Sequence, residues 1–267
     1  MRRNPMYSGR YLKRLPLTRY YSLIFSISIS DLKLRYKDSF LGFIWTFLQP
    51  LLFLGVLYVV FGTLIGSKIP YFPLYLLIGL ILWNSFSRTT SSSMISFVSK
   101  RDLLSKVYFP REILPISTTI TSFIMMSFDL CAFAVFVVLF NFVPPWTIVY
   151  LPVLLITLFI FTLGLSFMLS VGNVYFRDLE HIWGIALQAG FFLAPIFLSM
   201  DIYPPSIRHI LIFNPMTLVI DMAHNIVLYG HLPSFGAFGY LALVSLATLG
   251  LGYAIFRKFE SKVVEIL

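Results

Sequence analysis

The strongest constraint on this chain is a series of apolar runs longer than the roughly 18 residues that mark a membrane-spanning helix, separated by short clusters of charge. Inside lipid no water can satisfy a backbone amide or carbonyl, so each run must close its hydrogen bonds within itself as a helix. Runs at 39–66, 74–98, 115–140, 147–174, 181–200 and 235–256 give six spans. Charged residues make up 12% of the sequence, against roughly 25% in a soluble domain, and the mean hydropathy is +0.87. The expected fold class is therefore an all-α polytopic membrane protein of six transmembrane helices.

Orientation follows from the basic residues. Residues 1–38 carry nine of the twenty Lys and Arg, the 99–114 connection carries Lys100, Arg101, Lys106 and Arg111, and the tail after 256 carries Arg257, Lys258 and Lys262. The alternate connections hold Lys68, none in 141–146, and Arg208 alone in 201–234. Basic residues stay on the cytoplasmic side, so both termini and the 99–114 loop are expected inside. The net charge of +9 then reflects topology and contact with anionic lipid, and does not call for nucleic acid. The basic start (Arg2, Arg3, Arg10, Lys13, Arg14) has no adequate apolar core or small-residue cleavage site behind it, so no cleavable signal peptide is expected. The organisation expected is a cytoplasmic N-terminus over 1–38, a six-span domain over 39–256 and a cytoplasmic tail over 257–267.

Two segments do not span. In 17–38, Ser26 to Ser30 alternates like a strand, yet Arg19, Ser22, Ser26, Ser30, Lys33 and Lys37 recur at spacings of three and four. A lone strand beside a membrane has unpaired edges, so an N-terminal amphipathic helix lying in the interface is preferred. The 201–234 stretch is interrupted by Pro204-Pro205 and Asn214-Pro215, and its apolar pieces are too short to cross. Since both of its ends face outside, it reads as re-entrant half-helices between spans five and six, or as a surface loop.

Chemistry-bearing patterns are sparse. Gly62 to Lys68 resembles a phosphate loop only loosely, with Ser67 where the second glycine belongs. His181, His209, His224 and His231 have no metal-ligand spacing; Asp221 with His224 is the one acid–histidine pair at helical spacing, and it reads as a solvated polar face. The single cysteine, Cys131, lies in an apolar run. No catalytic constellation, metal site or internal repeat stands out. Arg88 and Asp129 are the ionisable groups near mid-span, and on antiparallel second and third spans their heights differ by roughly 5 Å, so a structural pair is expected. In the first span Phe40, Phe43, Phe47, Leu51, Leu54, Tyr58 and Phe61 share one helical face. Such a stripe packs against lipid and protein, or it lines a pathway.

Three blocks resemble one family, the membrane subunit of bacterial ABC exporters for lipid-linked polysaccharides and polyol phosphates such as O-antigen, capsule and teichoic acid. They are Asp31-Leu-Lys-Leu-Arg35-Tyr36-Lys37-Asp-Ser39-Phe-Leu41-Gly42-Phe-Ile-Trp45 continuing to Gln49-Pro50; Leu104-Ser-Lys106-Val-Tyr108-Phe109-Pro110-Arg111-Glu-Ile-Leu114-Pro115; and Asn173 to Asp178 with Pro195, Asn214-Pro215-Met216 and the ending Phe259 to Leu267. The resemblance covers nearly the whole chain in order. One departure is that no arginine stands near His224, where the family usually carries one.

The resemblance implies a homodimer of this chain bound to two ABC ATPase subunits, with ATP and Mg held by the partner and no cofactor here. It implies that 99–114 couples to the ATPase. There a short helix over 100–108, stopped by Pro110, would offer Leu103, Leu104, Val107 and Tyr108 as an apolar face with Lys106 and Arg111 at its rim. It also implies that the first and fifth spans border the pathway, bringing Phe191 and Phe192 to the wall formed by Phe40, Phe43, Phe47, Tyr58 and Phe61. The substrate expected is a lipid-linked glycan or polyol phosphate. An ion-coupled transporter would place more ionisable groups at the midplane, and a multispanning transferase would need more at an interface than the acid pair Asp178 and Glu180.

Overall fold

A computed structural model describes residues 17–35, 42–64, 66, 69–106 and 109–266. Among these there are helices and connections and no strand. In order they are α1 (Leu17–Arg35), α2 (Trp45–Leu57), α3 (Phe72–Met94), α4 (Ser96–Ser99), α5 (Arg101–Lys106), α6 (Ile113–Leu139), α7 (Leu151–Tyr175), α8 (Leu179–Leu193), α9 (Pro205–Leu211), α10 (Pro215–His224) and α11 (Phe235–Ile266). The segments Ile113–Leu139, Trp146–Tyr175 and Phe235–Val263 are long and apolar enough to cross a membrane. A further apolar pair, Pro205–Leu211 and Pro215–Tyr229, is bent by 103° at its break.

The helix α3 is the hub. Every residue from Leu74 to Trp83 is buried, and α2, α6, α7, α8 and α10 all pack on it. A helix shielded this fully need not be apolar along its whole length, and its second half carries Asn84, Ser85, Ser87, Arg88, Thr89 and Thr90. Two of its hydroxyls turn back on the helix, Thr89 on the Ser85 carbonyl at 2.6 Å and Thr90 on the Phe86 carbonyl at 2.9 Å.

The closest helix–helix contact joins α7 to α11. A Cβ on Gly252 would sit 2.1 Å from the Gly164 carbonyl oxygen, and one on Gly164 would sit 2.6 Å from the Leu249 amide nitrogen. Only glycine allows this approach, and in lipid such small-residue contacts supply the packing that holds helices together.

Several boundaries differ from the sequence expectations for local reasons. The segment 17–35 is helical, with Ile24 and Ser28 buried and Arg19, Ser22, Ser26, Ser30 and Lys33 exposed. The helix α2 runs on into a widened π turn, Tyr58–Leu64, which adds a residue per turn and shifts the face beyond it. The helix α8, in the expected fifth span, stops at Leu193, short of 200, because Ala194 precedes Pro195 and takes an extended conformation (ψ 147°). After α3 come α4 over 96–99 and then α5, which lies within the short helix expected over 100–108. The 201–234 stretch does contain two short helices. The second starts with Pro215 at its first position while Asn214 Oδ1 caps the Met216 amide at 3.0 Å.

Candidate functional site

The elements bring polar groups together in three places. In the first, Arg88 Nη2 on α3 donates to Asp129 Oδ2 on α6 at 2.8 Å, with Asp129 2% and Arg88 15% exposed at the side chain. The pair borders a cavity of about 460 Å³ between α1, α2, α3 and α6, lined also by Arg35, Gln49, Asn84 and Ser91. A second cavity of about 450 Å³ shares Arg35 and Ser92 with the first and reaches Asp31 and Lys100, which pair at 2.5 Å.

The second place lies where α6 begins. The Tyr20 hydroxyl of α1 donates to Glu112 Oε1 at 3.2 Å. On the other carboxylate oxygen, Oε2, the Tyr253 hydroxyl sits at 3.5 Å and Arg257 Nη1 at 3.6 Å. Burial first, then the Glu112 carboxylate, pushes the Tyr20 phenol above its ordinary value, so it remains a neutral donor. Arg257 also pairs with Glu260 at 2.8 Å, and the Arg111 guanidinium donates to the Glu260 carbonyl. Glu112 therefore ties α1 and the end of α11 to the start of α6. Below it a cluster including Ile24, Phe97, Phe109, Ile113 and Phe256 supplies the apolar contact.

The third place is a pocket of about 360 Å³ at the bent pair, lined by Tyr75, Asp201, Arg208, Asp221, His224 and His231 among others. His224 is not on a solvated face. It is buried, its ring stacks on Tyr75 with centroids 3.6 Å apart, and Nε2 meets the Tyr75 carbonyl at 3.0 Å. The Tyr75 hydroxyl donates to the carbonyls of Pro195 at 3.0 Å and Leu198 at 3.2 Å. This one residue joins α3, α10 and the extended segment after α8.

The residues singled out in the sequence fall out as follows. Leu103 and Lys106 are exposed on α5, but Leu104 is half buried against the Phe97–Phe109 cluster and Arg111 points inward to α11. Among the described residues, α5 therefore presents Leu103 outward and Leu104 inward. Val107, Tyr108 and Phe40 lie outside the described residues, as do the side chains of Phe43 and Phe47. Of the described side chains in the expected stripe, Leu54 is buried, Leu51 packs on the core, and Phe61, in the π turn, stacks on Phe197 with centroids 4.4 Å apart. Tyr58 is exposed, together with Leu52, Phe53, Val56 and Val59. Phe53 meets Phe191 at 5.9 Å, and Phe191 meets Phe192 at 5.5 Å. Tyr75, Glu112, Tyr20 and the Asp31–Lys100 pair were not singled out. Tyr75 sits in an apolar run and the others in basic stretches, so only three-dimensional contact distinguishes them.

A helical membrane protein with buried charge, a polar flank on its hub helix and a kinked outer segment has the makings of a transport subunit. Residues 22–228 match the ABC-2 type transporter membrane family, and the chain belongs to it. It is 33% identical over 252 residues to the O-antigen export system permease protein RfbA of Myxococcus xanthus, covering 93% of this chain and 96% of that one. It is 29% identical over 248 residues to the Klebsiella pneumoniae protein of the same name, covering 92% and 95%. With the polysialic acid transport protein KpsM of Escherichia coli the identity is 24% over 242 residues, covering 88% and 92%.

Proposed function

We infer that this chain is the transmembrane subunit of an ABC exporter that moves a polysaccharide across the bacterial cytoplasmic membrane. The observation that carries this is the 33% identity to an O-antigen export permease along 93% of the chain. The cargo is a glycan or polyol phosphate carried on a lipid, since a long sugar chain cannot itself cross about 30 Å of hydrocarbon. The driving reaction, hydrolysis of ATP with Mg, belongs to a separate ABC ATPase subunit, and this chain has no catalytic site of its own.

The finer reading is as follows. The chain crosses the membrane six times over 39–256, with both 1–38 and 257–267 cytoplasmic. The distribution of Lys and Arg supports this. The helix α1 lies in the inner interface: its buried side faces α6, while Tyr21, Phe25 and Leu34 are exposed to the bilayer. The pair α9–α10 dips into the outer leaflet and returns, which accounts for its 103° bend.

Two copies form the pathway, with α2 and α8 as its walls. In support, α8 is apolar yet has no buried residue, so its surface awaits lipid or a second copy. Phe53, Tyr58, Phe191 and Phe192 are the described aromatics on that side. The segment 99–114 receives the motion of the ATPase through Leu103 and Lys106, with Leu104 and Arg111 passing it inward.

The test is biochemical. The tagged chain, taken from its own membrane, retains a nucleotide-binding subunit; stripped of that partner it hydrolyses no ATP; and its deletion removes a polysaccharide from the cell surface. ATP hydrolysis by the isolated chain, or a full surface coat without it, overturns the reading.

A further inference from the structure

The helix α8 has no buried residue, yet the chain that leaves its C-terminal end is sealed in the protein. Ala194, Ile196 and Phe197 are buried, so 194–198 forms a short strap on the face of the hub. Backbone buried in this way must find donors for its carbonyls. Among the described residues no backbone amide reaches the carbonyls of Pro195 or Leu198; the Tyr75 hydroxyl meets both, at 3.0 and 3.2 Å. A single phenol proton, shared between two acceptors, is thus a polar hold of α3 on the strap. Tyr75 is itself fixed from another side. His224 of α10 stacks on its ring with centroids 3.6 Å apart, and because a carbonyl only accepts, His224 Nε2 donates to the Tyr75 carbonyl at 3.0 Å. One turn along α3, Gly79 lets the strap approach: a Cβ there would lie 3.3 Å from Ile196 Cα and 3.5 Å from His224 Nε2. Ring contacts hold the strap as well, Phe197 on Phe61 at 4.4 Å and on Phe191 at 5.9 Å.

We propose that Tyr75 is a positioning residue for transport: its hydroxyl pins the strap to the hub, and release of the strap is the step that frees α8 to move. The proposal rests on the export reading above, in which α2 and α8 wall the pathway. Strap and helix move together, because the Ala194 amide donates to the Gly190 carbonyl of α8 at 2.8 Å. The two kinds of hold respond differently to displacement. Ring contacts are non-directional and survive a small slide of Phe197 over Phe61, whereas a hydroxyl–carbonyl bond is lost once its atoms part by about 0.5 Å more. The strap therefore has a docked and a released state, and one proton decides between them. Removing that proton leaves two buried acceptors unsatisfied in the docked state only, since water can reach them in the released one. The hub side of the clasp does not give way, because Tyr75 is 2% exposed and lies under the His224 ring.

The test uses the complete permease–ATPase complex in nanodiscs, in a Cys131→Ser background with one reporter thiol. The reporter is Ile196→Cys in the strap or, as a control, Leu158→Cys on the buried face of α7. Labelling of a buried thiol by a water-soluble maleimide tracks how often its segment opens. The strap reporter is expected to be protected without nucleotide and to label during ATP turnover. Tyr75→Phe keeps the ring on His224 and removes only the hydroxyl. It is expected to raise nucleotide-free labelling of the strap about tenfold and to leave the α7 reporter unchanged. Thr147→Val deletes a buried hydroxyl–carbonyl bond elsewhere, to Ile226 at 2.6 Å, and is expected to leave the strap protected. The proposal is overturned by a strap that stays protected in Tyr75→Phe, or by equal gains at both reporters. It is equally overturned if Thr147→Val reproduces the effect, or if wild-type complex exports polysaccharide while its strap never labels. Failure of the export reading registers elsewhere, as loss of ATPase copurification or an unaltered surface coat on deletion.

Discussion

Removing one member of the Arg88–Asp129 pair exposes what the pair does. The two atoms are 2.8 Å apart, but the partners differ in surroundings: the Asp129 side chain is 2% exposed and that of Arg88 15%. Arg88→Ala leaves a carboxylate with almost no solvent contact, and breaking a buried pair this way costs about 3–5 kcal/mol. Asp129→Ala leaves a guanidinium on the wall of a polar cavity, where its long side chain can turn toward solvent, and the cost falls to about 1–2 kcal/mol. The double change strands neither charge and leaves mainly lost packing, about 1–2 kcal/mol. The singles then sum to about 4–7 kcal/mol, and the double change falls short of that sum by at least about 2 kcal/mol. The assay is unfolding of the purified complex in mixed micelles by SDS titration, followed by tryptophan fluorescence, for wild type, both singles and the double. Additivity within about 0.5 kcal/mol would refute the coupling. Equal costs for the two singles would refute the asymmetry drawn from exposure.

Other outcomes follow from the same contacts. Gly252→Ala pushes a methyl group into the Gly164 carbonyl, for which a Cβ distance of 2.1 Å leaves no room; overpacking of this kind costs about 1–3 kcal/mol, seen as a lowered Tm, and an unchanged Tm contradicts the close approach. Glu112→Gln weakens the junction of α1, α6 and α11, so ATPase activity persists while export per ATP falls, measured with reconstituted complex; unchanged export per ATP counts against the junction. Leu103→Asp, which alters an exposed residue on α5, weakens copurification of the ATPase, and full retention removes α5 from the coupling surface. In a Cys131→Ser background, Phe53→Cys and Phe192→Cys react with a water-soluble thiol reagent when the pathway is open, while Phe61→Cys, packed on Phe197, does not; silence at both of the first two places that wall in lipid.

The long apolar helices were legible because their signal is carried by many residues at once, so no single contact decides it. The bent segment was legible for the opposite reason: Pro204-Pro205 and Asn214-Pro215 act locally through fixed backbone geometry. The charge pair could be anticipated from depth alone, since mid-membrane charge demands a partner. Faces were harder. The α2 stripe extrapolated a period of 3.6 through a π turn at Tyr58–Leu64, and that period does not show that Leu54 lies in the core or that Phe61 stacks on Phe197. The inward turn of Arg111 depends on α11 arriving from 149 residues further along the chain. His224 reads as a polar helix residue until Tyr75 is placed beneath its ring. Long-range partners of this kind leave no periodic trace in one sequence.

The glycine contact between α7 and α11 also divides the molecule mechanically. With backbone against backbone, those two helices have no layer of side chains to shear across, so they serve as a stiff post, and the buried hub α3 is braced against it. The helix α8 is held differently. It has no buried residue, touching the hub through a few points such as Trp183 Nε1 to Thr90 Oγ1 at 3.0 Å and Gly190 beneath the Trp83 ring. Among the helices that pack on the hub, α8 is therefore lightly held, next to the extended residue Ala194. A pull delivered at the inner end of the post would be transmitted with little loss and spent on swinging α8, the way a rigid frame carries load to a single loose panel.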